Sequence, residues 1–178
     1  MSLRRRLLVF AGAAIAILIV LSLIWTYLIS DHYNRALVSV TDHLSGERII
    51  LGEDFDKVTR QELGLSESNI YIAEEQNGEI ILHGWIESLS LHYGILLVIS
   101  LILATPGIAW RRRFVFIPPV LLVMFVLHII TILIFAAVAP GADASRNPLV
   151  TLFIVVGTAL FPALIWLALT FRYWFSKE

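Results

Sequence analysis

The chain contains no cysteine and few charged residues, and both shortages restrict what it can do. Without cysteine it has no thiolate nucleophile, no thiolate metal ligand and no disulfide bond. Charged residues make up 15% of the sequence, hydrophobic residues make up 58%, and the mean hydropathy is +0.84. A soluble domain has about 25% charged and 45–50% apolar residues. The composition therefore argues against a soluble domain and indicates a membrane protein.

Long apolar runs without Asp, Glu or Lys predict four membrane-spanning helices. The runs cover residues 7–29, 92–110, 114–139 and 149–175. A helix needs roughly 20 apolar residues to cross a bilayer, and hydrocarbon cannot satisfy the free peptide groups of an open strand. The expected fold class is a membrane all-α protein with four transmembrane helices and a small extracytoplasmic α+β domain between the first and the second.

The first run follows Arg4, Arg5 and Arg6, a start that a cleaved signal peptide would share. A signal peptide has a hydrophobic region of about 7–15 residues and ends at a small-x-small cleavage site. This run is longer, and it ends with Trp25 and Tyr27, an aromatic pair typical of a membrane interface. We therefore expect a retained first span.

The distribution of charge predicts the orientation of the spans. Residues 31–90 contain twelve acidic and four basic residues. The opposite ends of the runs are flanked by the basic residues Arg4, Arg5, Arg6, Arg111, Arg112, Arg113, Arg172 and Lys177. Because basic residues in short flanks stay cytoplasmic, both termini are expected in the cytoplasm and residues 31–90 outside a bacterial inner (plasma) membrane. The three domains are then the first span (residues 1–30), the outer domain (residues 31–90) and a three-helix bundle (residues 91–178).

Residues 31–64 have helical and strand patterns. Apolar residues at helical spacing predict that the first span continues as an amphipathic helix and ends near Gly46; they are Tyr33, Ala36, Leu37, Val40 and Leu44. Residues 48–51 predict a short strand. Asp54 is a candidate N-cap for a helix over residues 55–63 that buries Phe55, Val58 and Leu63 and ends at Gly64.

Asn77 and Gly78 predict a β-hairpin. This pair is favoured by a two-residue type I′ turn, and apolar-rich runs lie on both sides of it. Counting outward from the turn places Ala73 opposite Leu82 and Ile72 opposite His83. At about sixty residues, the outer domain has a core of marginal stability, so we expect it to pack on the bundle.

His128 is the histidine expected deepest in a span, within a turn or two of Ser100 and Thr158. A serine–histidine pair is compatible with an intramembrane hydrolase, but the spans contain no carboxylate and the sequence contains no Gly-x-Ser-x-Gly motif. We interpret His128 as a neutral side chain that is hydrogen-bonded to Ser, Thr or a carbonyl group. The alternative is an axial ligand of haem iron or of a chlorin's metal, which makes His128 the candidate cofactor-binding residue. The cofactor itself stays unknown.

The remaining histidines lie among carboxylates, and zinc accepts both kinds of ligand. They are His32, His43, His83 and His92, and no two have the i, i+4 spacing of a helical metal motif. We therefore predict no metal site and no catalytic residue.

Gly12 and Ala16 give the first span a small-residue face, which permits close helix approach either within the bundle or to another protein. The arginine triplets are explained by topology, and no nucleic-acid patch is visible. The expected partners are membrane lipid and other integral-membrane proteins, with no nucleic acid. The residues expected to have structural or interaction roles are Gly12, Ala16, Asn77, Gly78, Ser100, His128 and Thr158.

Three segments resemble small membrane proteins associated with bacterial exosortases. They are Trp25 with residues 33–37, Tyr93-Gly94 with residues 101–107, and residues 127–131. Exosortases resemble cysteine transpeptidases and have an arginine three positions after a polar residue in one helix. This chain has no cysteine, and Thr131 stands three positions after His128, so the resemblance does not imply their activity.

The expected function is that of a non-catalytic accessory or scaffold subunit of a larger membrane protein assembly. One alternative is a peripheral structural subunit of a photosynthetic or respiratory complex that contacts pigment, haem or lipid. Another is an intramembrane hydrolase or an exosortase-related processing factor.

Overall fold

The structure, a computed structural model, describes residues 3–45, 48–76, 79–138, 152 and 156–175. A long N-terminal helix is formed by α1 (Leu3–Ile24), a π-helical turn (Trp25–Ile29) and α2 (Ser30–Ser45). It is followed by β1 (Arg48–Leu51), a 3₁₀ turn (Gly52–Asp54), α3 (Lys57–Leu63), β2 (Ile70–Gln76) and β3 (Glu79–Ile86). The C-terminal half contains α4 (Ser88–Ala104), α5 (Trp110–Val138), a second π-helical turn (Val156–Leu160) and α6 (Phe161–Phe175).

Two of the described helices are long and apolar enough to cross a membrane. The helix Arg5–Ser45 contains an 18-residue window with a mean hydropathy of 3.0, and the helix Trp110–Val138 contains one of 2.9. Only 6% of the first window is buried inside the protein, so most of the apolar surface of α1 faces outward. The protein is a largely helical chain with a small sheet, and the length of these two helices suits a membrane.

The N-terminal helix continues to Ser45, which confirms the expected extension of the first run. Its buried residues differ from the apolar pattern, because Asn34, Leu37 and Thr41 are buried whereas Val40 and Leu44 are exposed. Thr41 tolerates burial since its hydroxyl donates to the carbonyl oxygen of Leu37 at 2.7 Å. Polar residues with a local or tertiary partner can therefore replace apolar residues on the inner side of α2.

The N-cap of α3 is Asp56, so the prediction of Asp54 was wrong. The Asp56 carboxylate accepts hydrogen bonds from the backbone N–H groups of Val58 and Thr59. Phe55 is buried but precedes the helix, while Val58 and Leu63, which were expected inside, are 64% and 55% exposed. The prediction that Gly64 ends this helix is confirmed.

Glycine ends α3 for a conformational reason. Gly64 has φ +65° and ψ 34°, the left-handed region that side chains disfavour. Its backbone N–H donates to the carbonyl oxygen of Arg60. This bond satisfies one of the carbonyl groups that a helix end leaves open.

The three described strands form an antiparallel sheet in the order β1-β2-β3. Ala73 lies opposite Leu82, as predicted. Ile72 lies opposite Gly84 rather than His83, because a β-bulge between Ile72 and Ala73 shifts the register. The predicted turn at Asn77 and Gly78 lies outside the described residues.

Helix α4 ends at Ala104, before the end of the apolar run over residues 92–110. Thr105 precedes Pro106 and is extended (φ −61°, ψ 122°), since a residue before proline avoids the helical region. Gly107 follows with φ +80°, and Trp110 already begins α5. Residues 149–151 and 153–155 of the expected fourth span lie outside the described part, and residues 156–175 are helical.

The sheet packs directly on the helices. One hydrophobic core joins Ile49 and Ile72 of the sheet to Leu37 of α2, Leu91 of α4 and Phe135 of α5. A second core lies farther along the bundle and joins Trp25 to α4 and α5. The outer part of the chain therefore shares its core with the C-terminal end of α5.

Candidate functional site

Five aromatic and polar side chains meet where α2 packs against α4 and α5. They are Trp25, Tyr33, Asn34, His92 and His128, and we call them the aromatic–histidine cluster. Four of them are buried and Tyr33 is half-buried. The cluster lies between the two hydrophobic cores, so it is the main polar contact of the helix-packed interior.

Tyr33 and His128 join α2 to α5. The Tyr33 hydroxyl lies 2.7 Å from Nδ1 of His128, and the two rings meet edge to face with 5.9 Å between centroids. His128 is 1% exposed. The expected partner of His128 was Ser, Thr or a carbonyl group, and that expectation was wrong because the phenol of α2 reaches Nδ1.

Asn34 and His92 join α2 to α4. Nε2 of His92 lies 2.9 Å from Oδ1 of Asn34, and both side chains are buried. Since an amide oxygen can only accept, Nε2 of His92 carries the proton and donates it. Residues 33 and 34 are neighbours on the helix, and their side chains point about 100° apart. One turn of α2 therefore contacts two other helices.

Ring contacts hold the cluster together. Trp25 lies edge to face against Tyr33 and against His92, with centroid distances of 5.3 and 5.4 Å. Tyr33 also meets His92 at 5.7 Å. Each edge-to-face pair contributes about 0.5–1.5 kcal/mol beyond the burial of its area. Tyr33 is thus the ring that touches all the other aromatic members.

Burial determines the proton positions. It raises the pKa of the Tyr33 phenol well above its usual range, so the hydroxyl keeps its proton. Among the described residues this proton has no acceptor other than Nδ1 of His128. The hydroxyl therefore donates to Nδ1, and a neutral His128 carries its own proton on Nε2.

Two buried nitrogen atoms of the cluster lack a hydrogen-bond partner within the described residues. They are Nε2 of His128 and Nε1 of Trp25. A buried polar group without a partner costs about 1–3 kcal/mol. Both atoms carry a proton, so they are the positions in the cluster where a hydrogen-bond acceptor would gain most.

The hydroxyl groups expected near His128 make other contacts. Ser100 donates to the carbonyl oxygen of Leu97 at 2.8 Å, and Thr131 donates to that of Leu127 at 2.8 Å. Thr158 lies in the second π-helical turn, and its side chain is outside the described part. Ser100 is therefore bonded to its own helix and is not paired with His128.

The outer side of the cluster borders an acidic cavity of about 200 Å³. Its lining residues are Asp31, Asn34, Leu51, Glu53, Glu67 and Ser68. Arg35 donates to Glu53 at 3.0 Å, and this hydrogen bond raises the pKa of the exposed Arg35. In the described part of the chain, no three His, Cys, Asp or Glu side chains are arranged to hold a metal ion. His92, one of the four outer histidines, is bonded to Asn34 instead.

Gly12 and Ala16 lie on the outward side of α1. Both are exposed, and a Cβ atom at Gly12 would meet nothing within 4 Å. Ala14, which is buried, lies on the opposite side of α1 and faces the bundle. An apolar groove of about 340 Å³ runs beside the outward face; its lining residues are Ala16, Ile17, Val20, Leu21 and Leu103.

Arg113 has a structural role that the sequence did not reveal. Its guanidinium donates to the carbonyl oxygens of Leu103, Thr105 and Ile108, and it lies over the Trp110 ring at 5.6 Å. Trp166 of α6 donates to the Thr105 hydroxyl at 2.9 Å. Arg113 thereby caps the C-terminal end of α4 and fixes its connection to α5.

The cluster joins three helices and places neutral donors in a dry interior, which is the chemistry of helix association. Sequence reasoning identified His128 but missed Tyr33, Asn34 and His92 as its neighbours. The available signal was Tyr33, which follows the helical spacing of the apolar residues of α2 and is the member of that pattern that carries a hydroxyl group. No family model, curated protein or solved structure matches the chain.

Proposed function

We propose that the chain is a non-catalytic integral-membrane accessory or scaffold subunit of a larger membrane protein assembly. The observation that carries this proposal is the outward face of α1, since only 6% of its apolar window is buried by the rest of the chain. Small residues on membrane helices let two backbones approach closely. Gly12 and Ala16 are exposed in the described part of the chain, so we assign their face to a helix of another protein.

The proposed topology has four spans, with both termini in the cytoplasm and the sheet outside. The basic flanks support this orientation, and the length of α5 supports the position of the sheet. At 1.5 Å per residue, the 29 residues of α5 extend about 43 Å, whereas a hydrocarbon core is about 30 Å thick. If Trp110 lies at the inner interface, the surplus length leaves the membrane near Ile132 and Phe135, which pack against the sheet.

In this topology the aromatic–histidine cluster lies at the outer membrane boundary. His128 is 18 residues after Trp110, or about 27 Å along the helix axis. The cluster then holds the outer sheet and α2 on the bundle at the level where the spans end.

A second candidate function is contact with haem or pigment, and one observation favours it. Nε2 of His128 is a buried imidazole nitrogen without a hydrogen-bond partner in the described residues. It would bind a metal after its proton moves to Nδ1, where the Tyr33 hydroxyl would accept it as a hydrogen bond. Imidazole is a common axial ligand of haem iron. The hydrolase alternative has no comparable support, because Ser100 is bonded to its own helix.

Co-purification after gentle solubilisation tests the proposal. Ala16→Leu fills the outward face, whereas Ala11→Leu adds the same side chain at another exposed position of α1. We expect a co-purifying membrane protein to be lost with Ala16→Leu and retained with Ala11→Leu. Equal recovery with both variants would contradict the assigned face. A visible absorption band that His128→Asn removes would favour the haem or pigment function instead.

A further inference from the structure

The end of the bundle opposite the sheet brings together parts of four helices. Phe10 of α1 stacks on Trp166 of α6 at 5.7 Å, and Trp166 bonds Thr105 after α4. Arg112 of α5 lies 3.3 Å from the hydroxyl of Tyr173 in α6. We call Arg111, Arg112 and the neighbouring Trp110 and Tyr173 the basic corner.

The arginines at positions 111, 112 and 113 have different environments. Arg113 is half-buried, and its donors are used by the carbonyl groups at the end of α4. Arg111 and Arg112 are exposed, and Arg112 donates a hydrogen bond to the neutral phenol of Tyr173. Two guanidinium groups at this corner therefore keep most of their donors directed away from the protein.

No carboxylate in the described residues balances this charge. All acidic residues of the described part lie between Asp31 and Glu87, on the side of the sheet. The described segments 3–30, 88–138 and 156–175 contain no Asp or Glu. The electrostatic potential at the basic corner is consequently positive, and it is complementary to an anion.

Apolar surface adjoins the arginines and indicates what kind of anion fits. Trp110 is 63% exposed, and its ring packs edge to face on Phe114 at 5.0 Å. Phe114 and Val115 are also exposed. A free phosphate ion would use only the charges, whereas a phospholipid would place its phosphate at Arg111 and Arg112 and its chains along the apolar side.

We propose that the basic corner binds the headgroup phosphate of anionic phospholipids through Arg111 and Arg112. This inference rests on the proposed topology, in which the corner lies at the cytoplasmic headgroup layer. Arg113 is excluded from the site because its donors cap α4. The bidentate geometry of guanidinium suits phosphate oxygens, and Tyr173 orients Arg112.

The test measures lipid selectivity of the purified chain by native mass spectrometry, with phosphatidylglycerol and phosphatidylcholine of equal chain length offered together. A basic residue near an anionic surface contributes about fivefold in affinity. We expect the wild type to retain phosphatidylglycerol in preference, and the double variant Arg111→Gln/Arg112→Gln to lose about 25-fold of that preference. The double control Arg48→Gln/Lys57→Gln removes two charges on the side of the sheet and should retain the preference for phosphatidylglycerol.

Two further measurements keep the proposal falsifiable if the glutamine variant folds poorly. Arg111→Lys/Arg112→Lys keeps the charge and should retain a clear preference, and added salt should weaken it in the wild type. A wild type without headgroup preference, or a folded glutamine variant with unchanged preference, would overturn the site. Inorganic phosphate that competes as well as the lipid would also overturn it. Because this assay uses the isolated chain, its failure is separate from the loss of a co-purifying partner.

Discussion

The side chains of Tyr33 and His128 are joined by a 2.7 Å hydrogen bond, although 95 positions separate them in the chain. Tyr33 follows the first apolar helix and His128 lies in the outer part of α5, so the bond connects the two helices that are long enough to cross a membrane. Asn34 connects the same turn of α2 to His92 of α4. The position of α2 therefore depends on two neighbouring side chains.

Replacing Tyr33 and His128, singly and together, should reveal the energetic coupling between the two side chains. Tyr33→Phe leaves Nδ1 of His128 without its donor, and His128→Leu leaves the phenol without its acceptor, so each should destabilise by about 1–3 kcal/mol. The double variant should lose about 1 kcal/mol less than the sum, since neither partner is then left alone. Unfolding in detergent measures this, with His128→Asn as the milder control. Strict additivity would contradict the proposed role of the bond.

Local signals in the sequence predict the ends of helices better than they predict which side chains meet in the aromatic–histidine cluster. Gly64 permits the left-handed backbone that ends α3, and Pro106 disfavours the helical conformation of Thr105 at the end of α4. Both effects are local, so both helix ends are predictable from the sequence. Tyr33 and His128 meet only after α2 and α5 pack together, and no spacing rule connects residues so far apart. The partner of a buried histidine is thus a property of the packing.

Arg113 should matter for stability more than Arg111. Arg113→Gln removes charge-assisted hydrogen bonds to carbonyl groups at the end of α4 and should destabilise by about 2 kcal/mol. Arg111→Gln removes the same charge at an exposed position and should change the free energy of unfolding by less than about 0.5 kcal/mol. Thermal unfolding in one detergent compares the two. Equal losses would mean that the charge, and not the cap, is what stabilises this end.

The role of Arg113 shows why charge patterns alone are incomplete. In the sequence the triplet predicts only which side of the membrane it occupies. The distinction among its members arises because Thr105 is extended, which exposes carbonyl groups that one of the three side chains can reach. A similar limit applies at α3, where the sequence pattern predicted Asp54 as the N-cap and the structure has Asp56 in that position.

Two glycines should respond in opposite ways to alanine. A Cβ atom at Gly52 would overlap the backbone carbonyl of Ser66, which cannot move without disturbing the loop before β2. Gly52→Ala should therefore destabilise by about 2–3 kcal/mol. Gly12→Ala adds a Cβ atom in open space on a helix and should be neutral or stabilise by up to about 1 kcal/mol. Circular dichroism melting would refute this contrast if both variants behaved alike.

Asp56 should make the stability of α3 depend on acidity. Its hydrogen bonds from the Thr59 side chain and backbone lower the pKa of the folded carboxyl below its ordinary value of 3.8. A lowered folded pKa stabilises the helix above pH 3.8 and loses that contribution as the pH falls through the lower value. Asp56→Asn keeps an N-cap but cannot titrate, so hydrogen exchange at Val58 and Thr59 should become less sensitive to acid. Unchanged acid sensitivity would assign the effect to another group.

The proposed orientation can be tested with single cysteines, since the chain contains none. Ser39 is exposed on α2, and Ala109 is exposed at the connection between α4 and α5. With residues 31–90 outside and the basic residues inside, a membrane-impermeant thiol reagent should label Ser39→Cys in intact cells. It should label Ala109→Cys only after the membrane is opened. Labelling of both positions in intact cells would contradict the arrangement in which α4 crosses the membrane, because the two ends of that helix would then lie on the same side. Labelling of Ala109→Cys but not of Ser39→Cys in intact cells would place the sheet in the cytoplasm and reverse the orientation that the arginines predict.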